Sequence, residues 1–150
     1  VSDCEYWLRQ NFQQVFDLPA PAVDWLLMLW NAIQVFDDVA DGDAVKPADL
    51  NAAIWQTLVA MPANSFFMQH SATLLPVVAS MILKWHGANE AEQCKQHDAK
   101  SFVWRAGYYD VVLMVVQCCK GNQFATENAA KVMRLYGEDF DQYMKEFRDA

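Results

Sequence analysis

Apolar residues recur every three or four positions through nearly the whole chain, the spacing of a helix face and not of a strand. Trp7, Leu8, Phe12, Val15 and Phe16 mark a first amphipathic helix. Ser2-Asp3-Cys4-Glu5 opens it as a capping box, and Leu18-Pro19-Ala20-Pro21 breaks it after Asp17. Pro21 suits the first position of a second helix, which carries Trp25, Leu26, Leu29, Ile33 and Phe36 as a central core element. That helix ends at Asp41, because Gly42 can take the positive φ of a helix terminus. Pro47 starts a third helix with Leu50, Ile54, Leu58 and Met61, closed by Pro62. A fourth segment begins at Asn64 or Ser65, is kinked or split by Pro76, and continues through Met81, Ile82 and Trp85 to Gly87.

From about Asn89 to Cys119 the pattern stays helical, polar first and strongly apolar from Phe102 to Val116. The β-branched run Val111 to Val116 fits a buried strand in isolation, but no second strand of that character exists to pair with it, so helix is preferred. Lys120-Gly121-Asn122 ends the element, and Thr126 caps a last stretch through Val132, Leu135 and Tyr136, with Gly137 as a potential break. Repeats, low-complexity segments and linkers are absent from the sequence. The prediction is an all-α fold: an irregular bundle of five to seven helices in one domain over residues 1–150.

A chain of this length buries roughly 70% of the surface its unfolded form exposes. The apolar fraction of 54%, with six Trp, nine Phe and five Tyr, exceeds the usual range of about 45–50%. It implies a thick core, or a core plus an apolar patch that a partner covers, and a homodimer is the expected form. With 19 acidic against 11 basic residues the formal charge is -8, which repels phosphate backbones and argues against a nucleic-acid partner. The longest apolar stretch, Val23 to Trp30, is interrupted by Asp24 and is too short to span a bilayer, which needs about 20 apolar residues. No basic segment followed by an apolar run and a cleavage site opens the chain. Cys4, Cys94, Cys118 and Cys119 form no CxxC pair, so reduced thiols and a cytoplasmic location are expected.

Chemistry-like spacing appears at the end of the second helix. Asp38 and Asp41 are three apart, Asp37 and Asp41 four apart, so their carboxylates share a face. Asp24, Asn31 and Asp38 align at intervals of seven, and Gln34, Asp37 and Asp41 widen this into a polar arc of about 140° that also contains Leu27 and Trp30. Three carboxylates near a helix C-terminus repel one another and the partial negative charge of the dipole. A bound Mg²⁺, which prefers hard oxygen ligands, would relieve both. A solvated helix end, with Asp before Gly as ordinary turn chemistry, accounts for the same residues.

Asp37-Asp38-Val39-Ala40-Asp41, late on an apolar helix, resembles the aspartate-rich motif of class I isoprenoid synthases, which hold a diphosphate through Mg²⁺. That family carries a second metal motif on a later helix, and Glu138, Asp139, Gln142 and Glu146 occupy its spacing, with Asp139 and Glu146 matching in residue type and Glu138 and Gln142 departing from it. The resemblance covers these two short motifs. It implies a Mg²⁺ site formed by Asp37, Asp38, Asp41, Asp139 and Glu146, facing a phosphate or diphosphate of a small molecule. Helical nucleoside triphosphate pyrophosphatases use Glu-x-x-Glu and Glu-x-x-Asp helices in a similar way, and Glu138 to Asp141 satisfies the second pattern.

Three further constellations have chemistry in reach. His97-Asp98, with His70 and with Asp110 or Asp139, resembles the ligands of metal-dependent phosphohydrolases, where imidazole and carboxylate together suit a transition metal. Asp110 lies in an apolar stretch beside Tyr109 and Val111, so it needs a partner, and Arg105 is poorly placed on the same helix to provide one. It is a candidate catalytic base or a structural hydrogen-bonding group. Trp25, Trp30, Trp104 and Tyr109 suit an aromatic pocket or, by helical spacing, the core. Gly-x-Ser-x-Gly and glycine-rich phosphate loops are absent. Two functional classes remain: Mg²⁺-dependent binding or hydrolysis of a phosphorylated small molecule, or a non-catalytic helical interaction protein whose acidic arc is solvated surface. The format also resembles small helical proteins of bacteriophages and mobile elements.

Overall fold

The computed structural model describes residues 2–148. Helix accounts for 83% of the described residues, and no strand occurs among them. The chain divides into two compact units, Val1–Ser71 and Ala72–Ala150, the boundary falling inside a helix.

In the first unit α1 (Asp3–Gln10) runs into a π-helical turn over Asn11–Val15. Ser2 caps α1 by accepting from the Glu5 N–H at 3.1 Å. This is half of the expected capping box, because Glu5 turns instead to Asn31 and Arg9. Asp17, at φ 51°, ends the segment, and α2 (Ala20–Asp41) follows, starting one residue before Pro21 and ending where Gly42 predicts. Gly42 takes φ 75°, the left-handed conformation that glycine adopts without steric cost. Leu8, Phe12, Phe16, Val23, Trp25, Leu26 and Leu27 form the buried set, and Trp25 stacks on Phe67 with ring centroids 5.4 Å apart. Removing a side chain of this size from water is worth about 1.5–3 kcal/mol.

Burial stops before α2 does. Trp25, Leu26 and Leu29 are buried as expected, Ile33 is half-buried, and Phe36 is exposed. α3 (Pro47–Trp55) continues through a second π-helical turn, Gln56–Ala60, into the single turn α4 (Met61–Ala63). At the widened turn the Thr57 hydroxyl donates to the Ala53 carbonyl at 2.8 Å, where the backbone ladder changes register. Asn64 then starts α5 (Ser65–Gln93), accepting from the Phe67 N–H and donating from its side chain to the Pro21 carbonyl.

The second unit holds the rest of α5, then α6 (Ala99–Trp104), α7 (Gly107–Lys120), α8 (Asn122–Met133) and α9 (Phe140–Arg148). Counting helices of six residues or more, eight occur among the described residues, against the five to seven predicted. The excess arises where the sequence suggests one element from Asn89 to Cys119. α5 passes through both Pro76 and Gly87 to reach Gln93, Lys95 turns the chain at φ 57°, and Asp98 starts a new helix. The Val111–Val116 run is helical, with Val111, Val112, Val115 and Val116 buried. Thr126 does not cap α8: Gly121 precedes its first residue, and the Thr126 hydroxyl bonds back to the Asn122 carbonyl inside the helix.

α5 and the start of α7 approach closely. A Cβ placed on Gly107 would lie 3.1 Å from Met81 Cγ and 3.2 Å from Met81 Cα, so any larger residue would push Met81 back by a few tenths of an ångström. Met81, Leu74 and Ala88, spaced by seven along α5, form its buried row.

Candidate functional site

The polar arc of α2 divides into two parts. Asn31 donates to Glu5 at 3.3 Å and Asp24 lies 3.9 Å from Arg9, so the first part faces α1. Beyond the buried part of the helix, Asp38 and Asp41 are exposed, as are Phe36, Val39 and Ala40 around them, and Asp37 is half-buried. Asp139 and Glu146 belong to the other unit and are also exposed. Asp139 has local work: its carboxylate accepts from the Gln142 N–H at 2.9 Å, at the start of α9. No group of three or more His, Cys, Asp or Glu side chains among the described residues is arranged to hold a metal ion.

His97-Asp98 has a structural explanation. Asp98 Oδ1 accepts from the Lys100 and Ser101 N–H groups, and Ser101 Oγ accepts from the Asp98 N–H, a reciprocal capping box that starts α6. The His97 ring packs on Phe147, with centroids 4.6 Å apart. Asp110 is only half-buried and pairs with Lys84 across from α5, a partner supplied by another helix as its apolar setting requires. Burial raises the Cys118 thiol above its ordinary value. It also raises Cys119, to about 11, where the neighbouring Cys118 adds to the effect and Lys120 opposes it. Both thiols are therefore protonated, and poor nucleophiles, at neutral pH.

One polar cluster escaped the sequence reading. Arg105 grips the Glu92 carboxylate with two N–H groups and reaches the Asn89 side-chain oxygen with one of them. The Tyr143 hydroxyl donates to Glu92 at 2.9 Å, and its oxygen lies 2.7 Å from Ser101 Oγ. With the Tyr143 proton directed to a carboxylate, the single Ser101 hydroxyl proton is shared between the Tyr143 oxygen and the Asp98 carbonyl at 3.0 Å. Glu92 and Arg105 side chains are 11% and 20% exposed, and Ser101 is fully buried. The phenol of Tyr143 is pushed up to about 12 by burial, reinforced by Glu92 and opposed by Ser101 and Arg105. Tyr136 is raised too, by burial first and then by Glu138. The donors and acceptors at the centre of this cluster satisfy one another. It joins α5, α6 and α9. Glu92 and Tyr143 are 51 positions apart in the chain, so no local motif announces the cluster.

A different feature stands out by what it lacks. From Leu50 to Leu83, 34 consecutive residues contain no Asp, Glu, Lys or Arg, in a chain that is 20% charged. Much of the segment lies outside the core. On α3 and its π-helical turn Leu50, Ile54, Trp55, Leu58 and Val59 are all exposed, Leu58 at 72%. On α5 Leu75, Ile82 and Leu83 are exposed as well. By length and composition α5 could cross a membrane, and only 17% of its most apolar window is buried. Counting uninterrupted apolar runs, which singles out Val23 to Trp30, passes over this segment because Gln69, His70, Thr73 and Ser80 punctuate it.

Compared with known proteins, the chain matches no family model, no curated protein and no solved structure.

Proposed function

We propose that this protein is a non-catalytic helical assembly protein whose working surfaces are the charge-free apolar faces of α3 and α5. The observation that carries the reading is the coincidence of two facts. The longest stretch without charge is also where large apolar side chains stay in water. Exposed apolar residues scattered singly need no explanation, but contiguous ones mark surfaces that another surface covers. The five residues of α3 and its π-helical turn lie within ten positions on two adjoining i, i+4 rows, so they are contiguous. A Mg²⁺-phosphate function would need the acidic end of α2 to gain further ligands, and the exposure of Asp38, Asp41, Asp139 and Glu146 gives it less support.

The test is Leu58→Lys. If the face is an assembly surface, the isolated protein tolerates the charge, with a stability change within about 0.5 kcal/mol by urea titration. A loss of several kcal/mol would place Leu58 in an intramolecular core and sink the reading. Saturable heat on titration with Mg²⁺ and inorganic pyrophosphate, abolished by Asp38→Asn, would favour the phosphate-binding function instead.

A further inference from the structure

We infer that the partner of the exposed α5 face is a second copy of this chain, packed antiparallel along Ala72, Leu75, Ala79 and Ile82; the inference rests on the assembly reading above. These four residues alternate by three and four positions, the spacing of a coiled-coil seam. Taking 3.6 residues per turn, they fall within about 80° of one another. They are all exposed, while the buried row Leu74, Met81, Ala88 uses a different side of the helix. α5 therefore has two seams, one filled and one open.

The open seam is complementary to itself. A two-fold contact requires that if residue i meets residue j of the partner, j also meets i. With the axis beside position 77, Leu75 meets Ala79 of the second copy and Ala72 meets Ile82, each large side chain opposite a small one. Every pair then combines a knob with a space, as close helix packing demands. Charge points the same way. Two chains of formal charge -8 repel, and they approach most cheaply over a surface without carboxylates. The charge-free part of α5, Ser65 to Leu83, is about 28 Å long at 1.5 Å per residue.

A bilayer is the competing occupant, and the third side of the helix disfavours it. Thr73 and Ser80, also exposed, lie about 130° round from the middle of the seam. A lipid-facing helix is apolar on all exposed sides, whereas a narrow apolar seam beside a polar strip is the pattern of helix pairing in water.

Sedimentation equilibrium of the full chain over a wide concentration range tests this, with circular dichroism to confirm that each variant folds. The wild type should sediment at twice the 17.1 kDa chain mass. Ala79→Leu sets two large side chains against each other at both symmetric contacts and should weaken dimerisation at least about tenfold. The double variant Leu75→Ala with Ala79→Leu exchanges knob and space and should restore it. A wild type that stays monomeric overturns the inference, and flotation of that monomer with phosphatidylcholine and phosphatidylglycerol vesicles would assign the face to membrane. A dimer indifferent to both substitutions overturns it equally. Because Leu58→Lys reports on exposure and not on the partner, a monomer that tolerates that substitution leaves the assembly reading intact while removing the second copy.

Discussion

Replacing Tyr143 with Phe should destabilise the protein at pH 8 and remove part of its sensitivity to alkali. The substitution deletes a hydroxyl that donates to the Glu92 carboxylate and accepts from Ser101, within a residue that is only 6% exposed. A hydrogen bond to a charged group contributes about 1.5–3 kcal/mol, and Glu92 keeps both bonds from Arg105, so the loss at pH 8 should fall in that range. The pH dependence follows from the raised phenol. Its folded pKa of about 12 lies above the ordinary value of 10, so the folded state holds the proton more tightly than the unfolded chain. That contribution is complete below pH 10, declines as pH rises from 10, and is gone above about 12.

A phenol raised from 10 to about 12 binds its proton about a hundredfold more tightly in the folded state. At about 1.36 kcal/mol for each factor of ten, this is worth on the order of 3 kcal/mol, of which about half should be lost by pH 11. Urea titrations of wild type and Tyr143→Phe at pH 8 and pH 11, followed by circular dichroism, measure it. Wild type should lose on the order of 1 kcal/mol more than the variant over that interval, so the gap between them narrows. Lysine ionisation affects both proteins alike and cancels. A gap of the same size at both pH values would refute the protonation argument, and no gap at pH 8 would refute the hydrogen-bonded cluster itself.

Gly107→Ala should cost about 1–3 kcal/mol by urea midpoint, since the new methyl meets Met81 backbone as well as its side chain. Trp25→Phe should cost less than about 1.5 kcal/mol, because it deletes a buried indole N–H that has no hydrogen-bond partner as well as some packing, whereas Trp25→Ala should cost about 3–5 kcal/mol. Asp38→Asn should leave thermal stability unchanged or slightly higher, since it removes a negative charge from a helix C-terminus; a clear drop would show that the carboxylate makes a stabilising contact.

What the sequence makes legible divides by range. The C-terminus of α2 can be read to the residue, because Gly42 acts through its own φ and needs nothing distant. Thr126 is misplaced as a cap because a threonine hydroxyl bonds equally well to a carbonyl four residues back, and Gly121 upstream makes the choice. The aspartates show the same ambiguity at the level of function. Asp98 and Asp139 resemble metal ligands in sequence, yet each spends its carboxylate on backbone N–H groups at a helix start, a use that local spacing cannot distinguish from coordination. The Glu92, Arg105 and Tyr143 cluster is illegible in principle, since it depends on which helices meet. The open seam of α5 is the opposite case, wholly present in the sequence and still missed. A count of uninterrupted apolar residues is broken by Thr73 and Ser80, but these occupy another side of the helix and leave the row from Ala72 to Ile82 intact. What a partner meets is every third and fourth residue, so polar neighbours between them do not weaken the face. Charge is different, because a carboxylate beside the row would repel its symmetric copy across the axis. The absence of charge over 34 residues is therefore the more physical signal of an assembly surface than the presence of any apolar run.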